Sequence, residues 1–264
     1  MNNDNFDNYY RQIYGTRWDN LKKALCEKNA HHEFHGKLNK AYIMDKASVK
    51  AAVSLTQVLD TCGTADNAGL LLDACAAPGG KSLVLADGMS ASFDLLANEI
   101  SSERRRRLVN VLDDYLPDSL RLRVKVSGFD AASAAGKKSN LLRFAGILLD
   151  APCSSERHVL ANEKYLSNWT ASRPLFLAQR QWALLSAAFL MLQPGAPLVY
   201  STCAITSVEN DNVAARLIKK YGDAVELCPP DFEEGEKTEY GKIILPDSCE
   251  GMGPMYVARF VKKK

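Results

Sequence analysis

Residues 70–82 read Leu70-Leu-Leu-Asp-Ala-Cys-Ala-Ala-Pro-Gly-Gly-Lys-Ser82, and this segment sets the architecture expected of the whole chain. Residues 69–74 form a short apolar run bounded by turn residues, which is typical of a strand buried in a parallel sheet. A small-residue loop with a glycine pair follows, and the amphipathic pattern of residues 81–89 predicts a helix. Glycines allow a ligand to approach the backbone closely, and the unpaired N–H groups of a helix start favour negative charge. The segment therefore predicts a nucleotide-like ligand at the carboxyl edge of an α/β sheet.

Two classes of ligand fit this loop. Residues 75–82 have the spacing of a phosphate-binding loop, G-x-x-x-x-G-K-[ST], but Cys75 replaces its first glycine and Pro78 removes one N–H donor. The second candidate is S-adenosylmethionine, which needs close backbone approach and an acidic partner for its ribose. A tight turn without any ligand is the remaining interpretation.

Composition narrows the class of protein. The chain has 264 residues, of which 47% are hydrophobic, enough for one sizeable α/β core or two small ones. No apolar run reaches the length of a membrane span, which predicts a soluble protein without a membrane partner. The formal net charge is only +2, although the middle of the chain is basic and residues 231–250 are acidic. The seven cysteines form no CxxC pair, which favours free thiols in a reducing compartment.

The first sixty residues have helical spacing in pieces, and we expect a helical N-terminal extension at 1–60 packed on a sheet domain at 61–264. Residues 1–10 carry neither a hydrophobic signal core nor an arginine-rich presequence, and a targeting segment removed by cleavage is compatible with this start. One polar set is interpreted as a partly exposed loop rather than a metal site, because no further ligand group of suitable spacing follows: His31, His32, Glu33 and His35. One aromatic and basic set suits stacking on RNA bases, although packing is the favoured interpretation: Tyr9, Tyr10, Tyr14 and Trp18 with Arg11 and Arg17.

From residue 69 onward, strand and helix patterns alternate. Strands are predicted at 69–74, 93–98, 121–127, 145–149, 198–201, 224–228 and 254–260, and helices at 81–89, 102–115, 179–192 and 207–221. This alternation predicts a doubly wound, mostly parallel sheet whose ligands lie beyond the carboxyl ends of the strands.

Candidate functional residues follow consecutive strands. Glu99 is placed to accept hydrogen bonds from both hydroxyls of a ribose, and Asp130 is either an adenine partner or a turn-forming residue. Asp150 also resembles the magnesium-binding aspartate of phosphate-loop enzymes, which keeps a kinase or ATPase open as an alternative. Cys153 and Cys203 each follow a strand and precede a predicted helix, where a thiol has a lowered pKa. A single cysteine is more often a small buried residue, but two at neighbouring strand ends favour a catalytic pair.

Together these motifs resemble the Nop/Sun-type RNA (cytosine-5) methyltransferases, over residues 70–262. Three blocks carry the resemblance: Asp73-Ala-Cys-Ala-Ala-Pro-Gly-Gly-Lys81, Asp150-Ala-Pro-Cys153 and Tyr200-Ser-Thr-Cys203. Further blocks are most similar to the mitochondrial branch of that family: Asn98-Glu99 with Arg104, Ser155-Glu-Arg-His158, and Leu245-Pro246 with Gly253-Pro-Met-Tyr256. Members of that branch methylate mitochondrial small-subunit ribosomal RNA or a mitochondrial tRNA. The start Asn5-Phe6-Asp7 favours the ribosomal-RNA enzyme, which works with a helical-repeat partner of the mitochondrial transcription terminator type.

The resemblance implies a Rossmann-like S-adenosylmethionine-dependent methyltransferase fold with a mostly parallel seven-stranded sheet, and it assigns a role to each candidate. The methionine part of S-adenosylmethionine would lie on Cys75, Ala76, Ala77, Pro78, Gly79, Gly80 and Lys81. Glu99, with Arg104 nearby, would bind the ribose, and Asp130 with Ala131 the adenine. Asp150 would lie between cofactor and target base. Cys203 would be the nucleophile that attacks cytosine C6, and Cys153 the thiol that assists release; no metal ion is expected.

The same resemblance implies a location in the mitochondrial matrix and a role in ribosome assembly. Glu99 stands where many relatives have Asp, and no separate RNA-binding domain is evident, so specificity would depend on the protein partner or on a ribosome assembly intermediate. Two alternatives stay open within the family. The chain is either a mitochondrial tRNA (cytosine-5) methyltransferase or a largely non-catalytic assembly factor that retains the fold.

Overall fold

The structure, a computed structural model, describes residues 2–28, 31–59, 61 and 68–263. The helices in these ranges are α1 (Asn2–Tyr14), α2 (Trp18–Cys26), α3 (Lys46–Thr56), α4 (Gly80–Gly88), α5 (Ser102–Tyr115), α6 (Asp118–Arg121), α7 (Glu156–Leu160), α8 (Glu163–Ser167), α9 (Arg173–Met191) and α10 (Asp211–Tyr221). The strands are β1 (His31–Phe34), β2 (Tyr42–Asp45), β3 (Gly69–Asp73), β4 (Phe93–Asn98), β5 (Val124–Ser127), β6 (Gly146–Asp150), β7 (Pro197–Thr202), β8 (Val225–Leu227), β9 (Glu236–Lys237), β10 (Lys242–Ile244) and β11 (Met255–Lys262).

A mostly parallel sheet forms the centre of the molecule, as the alternating pattern predicts. Its strand order is β5-β4-β3-β6-β7-β11-β10-β9, with β8 paired to β11 beside this path. The five strands from β5 to β7 run parallel, and β11 joins them antiparallel to β7. The chain moves outward from β3 to β5 and then returns to β6 on the other side of β3. This reversal creates a crevice at the carboxyl ends of β3 and β6, where open α/β sheets bind their ligands.

Both faces of the sheet are covered, which explains why its central strands are continuous apolar runs. Successive side chains of a strand point to opposite faces. Leu72 and Ile147 therefore join the apolar cluster that contains residues of α1, α2, α9 and α10, whereas Leu71 and Leu148 join the cluster of α3, α4 and α5. A strand with two buried faces has no polar alternation, and β3 and β6 have none.

The N-terminal extension is helical only in part. Between α2 and α3, β1 and β2 form an antiparallel pair, with His31 opposite Asp45 and Phe34 opposite Tyr42. The partly exposed loop predicted for this segment is a strand instead, and β1 alternates between exposed and half-buried residues, a period of two rather than 3.6. His31, His32 and Glu33 lie on β1, and the described residues contain no group of three or more acidic, histidine or cysteine side chains placed to hold a metal ion. The predicted boundary between the extension and the sheet domain lies between residues 60 and 61. Asp60 is outside the described residues, so this boundary stays a prediction.

The aromatic set at the N-terminus is packing. Tyr10 and Trp18 are fully buried, and their rings stack with centroids 5.1 Å apart. Phe6 contacts Trp169 edge to face at 5.0 Å, which fixes α1 against the segment before α9. These buried rings have no face left for RNA bases, so the stacking alternative is wrong for Tyr10 and Trp18. The arginines are engaged as well: Arg11 pairs with Asp19, and Arg17 with Glu236 and Asp247.

Within the described residues the sheet has nine strands, where seven were predicted. The two extra strands, β9 and β10, are two and three residues long, and β10 pairs with the first half of β11 while β8 pairs with its second half. β8 and β10 thus both pair along the same side of β11. β9 and β10 could not be predicted because segments of two or three residues are too short to show the alternation of a strand. Helix α9 begins at Arg173 rather than 179, with Pro174 in its first turn, where proline is tolerated. Strand β5 begins at Val124 rather than 121 because α6 takes up the preceding residues.

Two further properties concern the membrane and the cysteines. No helix within the described ranges has both the length and the apolar character needed to cross a bilayer. The six cysteines in those ranges are free thiols.

Candidate active site

The glycine loop between β3 and α4 is tight, as predicted. Gly79 has φ of +124°, a conformation that L side chains rarely adopt, and a Cβ there would lie 2.9 Å from the Val111 side chain. Gly80 begins α4, and a Cβ there would lie 2.9 Å from the ring of Tyr42. The loop is therefore held between α5 on one side and β2 of the extension on the other, and both glycines are required for this close approach.

Two cavities adjoin the loop at the carboxyl edge of the sheet. The larger set of predicted residues lines one of them, which we call the Glu99 cavity: Cys75, Ala77, Glu99, Arg104, Asp130, Ala131, Asp150, Cys153 and Cys203. The second cavity, which we call the Lys81 cavity, is lined by four further residues of the loop: Ala76, Pro78, Gly80 and Lys81. Cys75, Ala77 and Asp150 line both cavities, and Gly79 lines neither. Residues that follow five different strands thus meet at one edge.

Glu99 carries an unsatisfied oxygen at one end of the Glu99 cavity. The side chain is 2% exposed, and its Oε1 accepts a hydrogen bond from the Ser101 N–H at 2.9 Å. Its Oε2 is buried and has no hydrogen-bond partner among the described residues, although Arg104 Nη1 is 3.1 Å away. A buried carboxylate oxygen that has an ion-pair neighbour but accepts no hydrogen bond is rare, and a hydroxyl donor from a ligand would supply that hydrogen bond. The residues present therefore fit the ribose of a nucleoside ligand.

A second carboxylate, Asp130, lies in the same cavity with a partner that the sequence did not indicate. Arg180 of α9 donates from Nη2 to Asp130 Oδ1 at 2.5 Å, and the Ala132 N–H donates to the same oxygen at 3.2 Å. Burial raises the pKa of Asp130, but these hydrogen bonds outweigh it and the pKa is lowered. Phe129 and Leu184 line the cavity beside this pair. Apolar walls with one ionised acceptor fit a purine ring that carries an amino group.

The two cysteines of the strand ends are neighbours. Cys153 Sγ and Cys203 Sγ are 2.9 Å apart, closer than ordinary packing contact but longer than the roughly 2 Å of a disulfide. The Cys203 N–H points to Cys153 Sγ at 3.3 Å, and Ser155 Oγ lies 3.1 Å from Cys203 Sγ. The hydrogen bond with Cys203 and burial both raise the pKa of Cys153. Cys153 is therefore held as a neutral thiol beside Cys203.

A buried acidic network beneath the cysteines fixes the two loops that carry them. Glu156 accepts hydrogen bonds from the Tyr10 hydroxyl at 2.5 Å and the Ile205 N–H at 3.2 Å. Glu209 accepts from the Ser154 N–H at 2.9 Å and from Gln181 Nε2 at 2.8 Å. The two carboxyl groups thus join the loop after β6 to the loop after β7.

The same burial changes the protonation of the network. Burial raises the pKa of both groups, that of Glu209 to about 7, with the nearby Glu156 contributing to the shift of Glu209. The Ser154 hydroxyl also donates to Glu156. The sequence did not predict this network, because Glu156 and Glu209 look like ordinary acidic residues near the start of a helix.

Asp150 lies between the cavities. Its Oδ2 is 2.9 Å from Lys81 Nζ, and its Oδ1 accepts a hydrogen bond from Ser201 Oγ at 2.9 Å. Burial lowers the pKa of Lys81, but the attraction of Asp150 outweighs it and the pKa is raised. Lys81 is thus committed to a carboxylate of the next strand, unlike the lysine of a phosphate loop, which serves the phosphates.

A third cavity opens on the other side of Cys203. This His158 cavity is lined by residues of the extension, of α7 and of the loop before β11: Asp45, Ser48, Ser155, Arg157, His158, Ala161, Cys203, Gly253, Pro254 and Met255. Ser155 and Cys203 line both this cavity and the Glu99 cavity. Cys203 therefore lies between two cavities, with Cys153 beside it on the side of the Glu99 cavity.

Comparison with known proteins gives a consistent answer. The family model described as 16S rRNA methyltransferase RsmB/F matches residues 62–261. Ribosomal RNA small subunit methyltransferase F of Aliivibrio fischeri is 34% identical over 219 residues, which are 81% of this chain and 45% of the relative. The same-named protein of Vibrio parahaemolyticus is 37% identical over 199 residues, 73% of this chain and 40% of that protein. The chain thus spans less than half the length of these relatives.

Solved structures share the fold. A methyltransferase homologue from Pyrococcus horikoshii superposes with a TM-score of 0.70 at 22% identity, covering 97% of this chain and 94% of the other. NSun6 from the same organism, solved with SFG, superposes with a TM-score of 0.67 at 24% identity, covering 85% of this chain and 54% of the other. The predicted methyltransferase fold is confirmed.

Proposed function

The chain belongs to the RsmB/F family of 16S rRNA methyltransferases, which confirms the predicted family, and we propose that it transfers a methyl group from S-adenosylmethionine to C5 of a cytosine in ribosomal RNA. One observation carries this proposal. Two free cysteines have their sulfurs 2.9 Å apart, both line the Glu99 cavity, and Cys203 also lines the His158 cavity. Cytosine C5 is a poor nucleophile because it belongs to an aromatic ring, and a thiol that adds to C6 removes this obstacle.

The Glu99 cavity is the site proposed for the cofactor. Glu99 Oε2 would accept from the ribose hydroxyls, and Asp130 from the adenine amino group, with Ala131 beside it. The loop from Cys75 to Lys81 would hold the methionine part. When bound, S-adenosylmethionine supplies an electrophilic methyl group.

Cys203 is the proposed nucleophile. Its thiolate forms a bond to C6 of the cytosine, and the electron pair of the C5–C6 double bond becomes available at C5 for the methyl group. After the C5 proton passes to a base in the solvent, the C5–C6 double bond re-forms and the bond between C6 and the Cys203 sulfur breaks. Cys153 assists this release, because its raised pKa keeps a proton on the sulfur that lies 2.9 Å from Cys203. The departing Cys203 thiolate takes that proton.

Asp150 and Lys81 would act together on the base. Asp150 lines both the Glu99 cavity and the Lys81 cavity, so it is close to the place where a base and a methyl donor would meet. Charge that develops in the ring is stabilised by a hydrogen bond or proton at N3. Asp150 would donate to N3 in its protonated form, and the Lys81 ammonium 2.9 Å away holds the Asp150 side chain in position.

The proposal is tested by cysteine replacement in a transfer assay with labelled S-adenosylmethionine and ribosomal RNA. We expect Cys203→Ala to abolish both methyl transfer and covalent protein–RNA adducts, and Cys153→Ala to accumulate adducts that survive denaturing electrophoresis. Cys26→Ala is the matched control, because Cys26 is an exposed free thiol on α2. Turnover retained by Cys203→Ala would reassign the nucleophile, and absence of adducts from Cys153→Ala would remove its role in release.

We further propose mitochondrial small-subunit ribosomal RNA as the substrate, the mitochondrial matrix as the location, and a helical-repeat protein of the transcription terminator type or a ribosome assembly intermediate as the partner. The support is the set of blocks similar to the mitochondrial branch, among them Ser155-Glu-Arg-His158. Sequencing of 5-methylcytosine in organellar RNA after depletion of the protein is the test. Loss of a ribosomal-RNA mark supports the proposal, loss of a tRNA mark replaces the substrate, and an unchanged pattern indicates an assembly role without methylation.

A further inference from the structure

An exposed aromatic pair lies at the His158 cavity. His158 on α7 and Tyr165 on α8 have ring centroids 5.0 Å apart with an angle of 44° between the planes. His158 is exposed and lines the same cavity as Cys203, and Tyr165 is 47% exposed. An aromatic pair this exposed is not part of the core, and its position at a cavity that Cys203 also lines needs an explanation.

The pair is held rigidly from below. Glu156, the first residue of α7, is fully buried in the acidic network. Arg157 donates from Nη1 to the Glu27 carbonyl at 2.7 Å and so ties α7 to the end of α2. Asn162 caps α8, accepting from the N–H groups of Lys164 and Tyr165 at 3.1 and 3.3 Å. Both rings therefore project from short helices whose backbones are fixed, which lowers the entropy lost when a ligand binds.

We propose that the His158–Tyr165 pair is the stacking surface for an RNA base next to the target cytosine. This inference rests on the proposed function. A cytosine that enters the His158 cavity must leave its stack, at a cost of a few kcal/mol. An aromatic surface at the cavity mouth compensates by taking up the neighbouring base, and it tolerates any base because every base has a π-face.

Polar groups at the surface favour RNA over an apolar protein segment, although Glu163 is exposed beside Lys164. Lys164 is exposed beside Tyr165 in sequence, and a lysine next to an aromatic surface suits the phosphate between two splayed nucleotides. A protein loop would need a covered apolar patch, whereas the two rings here carry polar tips at the edge of a cavity that contains the proposed nucleophile.

The test uses the full chain, S-adenosylmethionine and transcribed small-subunit ribosomal RNA in which the methylated cytosine has been mapped. Tyr165→Ala and His158→Ala are expected to lower kcat/KM about 5- to 50-fold, mainly through KM. Tyr165→Phe should keep activity within about twofold, because the ring face is retained. Phe176→Ala is the matched control, an aromatic residue of α9 that is 72% exposed and lies outside this pair.

A cycle with modified RNA separates stacking from a structural role. Two RNA oligonucleotides are compared, one abasic on the 5′ side of the target cytosine and one abasic on its 3′ side. One of them should lose the same factor with the wild-type protein and should show little further loss with Tyr165→Ala. Additive losses for both abasic RNAs, or kinetics like those of the wild type in both alanine variants, would overturn the inference. An effect of Tyr165→Ala seen only when a protein partner is present would assign the pair to that partner instead and would also overturn it.

Failure of the proposed function gives a different result. In that case the wild-type protein transfers no methyl group to any RNA and forms no covalent adduct. The inference alone fails when the wild-type protein is active and the aromatic variants behave like Phe176→Ala.

Discussion

Replacing Asp73 with asparagine is expected to remove a large part of the pH dependence of stability. Asp73 ends β3, directly before the glycine loop, and its side chain is fully buried. Its Oδ2 accepts a hydrogen bond from Ser82 Oγ at 2.7 Å, while its Oδ1 has no hydrogen-bond partner among the described residues. Burial raises the pKa of Asp73 from 3.8 to about 7.

The free energy of unfolding is expected to fall with rising pH, because the folded state favours the protonated form of Asp73. Below about pH 4 both the folded and the unfolded chain hold the proton, and the stabilising contribution is fully present. As pH rises from about 4 to about 7, the unfolded chain ionises while the folded chain resists, so the free energy of unfolding falls. A difference of about three pKa units corresponds to about 4 kcal/mol, of which about 2 kcal/mol is lost between pH 5 and pH 7.

The assay is denaturant unfolding of the wild type and Asp73→Asn at several pH values between about 5 and 8. Asparagine has nearly the same shape and cannot ionise, so the difference between the two curves isolates this carboxyl group from other titrating groups such as Glu209. We expect the wild type to lose about 2 kcal/mol relative to the variant between pH 5 and pH 7, and little more above pH 8. A difference that stays constant across this range, or that moves in favour of the wild type, would refute the reasoning.

Three further predictions concern the loop, the acidic network and the adenine end of the cavity. Gly79→Ala should destabilise the protein by about 1–3 kcal/mol and weaken the binding of S-adenosylmethionine measured by calorimetry. The reason is that the positive φ of Gly79 and the nearby Val111 side chain both disfavour a Cβ there. Gly136→Ala is the control, because a Cβ at Gly136 would meet nothing within 4 Å. Tyr10→Phe should cost about 1–3 kcal/mol in denaturant unfolding, because a buried carboxyl group loses a donor, whereas Tyr9→Phe on the same helix should cost less. Arg180→Ala should raise the KM for S-adenosylmethionine several-fold with little change in kcat, since Arg180 orients Asp130 and has no part in the proposed methyl transfer. An unchanged KM would remove Arg180 from the cofactor site.

The local sequence pattern was sufficient to predict those site residues that directly follow strands. An apolar run with both faces buried, a glycine pair and a helix start identify a βα turn, and the carboxyl ends of parallel strands meet at one edge whatever their side chains are. Glu99, Asp130, Asp150, Cys153 and Cys203 therefore could be assigned to one site without any contact being known. The structure brings all five to the same cavity.

Contacts between distant segments could not be predicted in this way. The hydrogen bond from Tyr10 to Glu156 joins residues 146 positions apart, and the pair formed by Arg180 and Asp130 spans 50. Neither has a spacing signal, because their positions depend on how α1 and α9 pack on the sheet. Burial decides their chemistry: the same glutamate at an exposed helix start would be an ordinary favourable charge, whereas buried Glu156 has a raised pKa.

The N-terminal extension supplies part of the proposed substrate cavity. Asp45, the last residue of β2, caps α3 through the Ala47 N–H at 2.7 Å and also accepts from the Gly253 N–H at 2.9 Å. One side chain thus connects the extension to the loop before β11, and both line the cavity that Cys203 faces. Ser48, one turn into α3, reaches the Lys81 side chain at 3.3 Å, and Lys81 pairs with Asp150. Because Asp45 and Ser48 line the His158 cavity together with Cys203, a base bound there by the proposed mechanism would contact residues of the extension. The extension is therefore part of the proposed substrate cavity and would contribute to its choice of nucleotide.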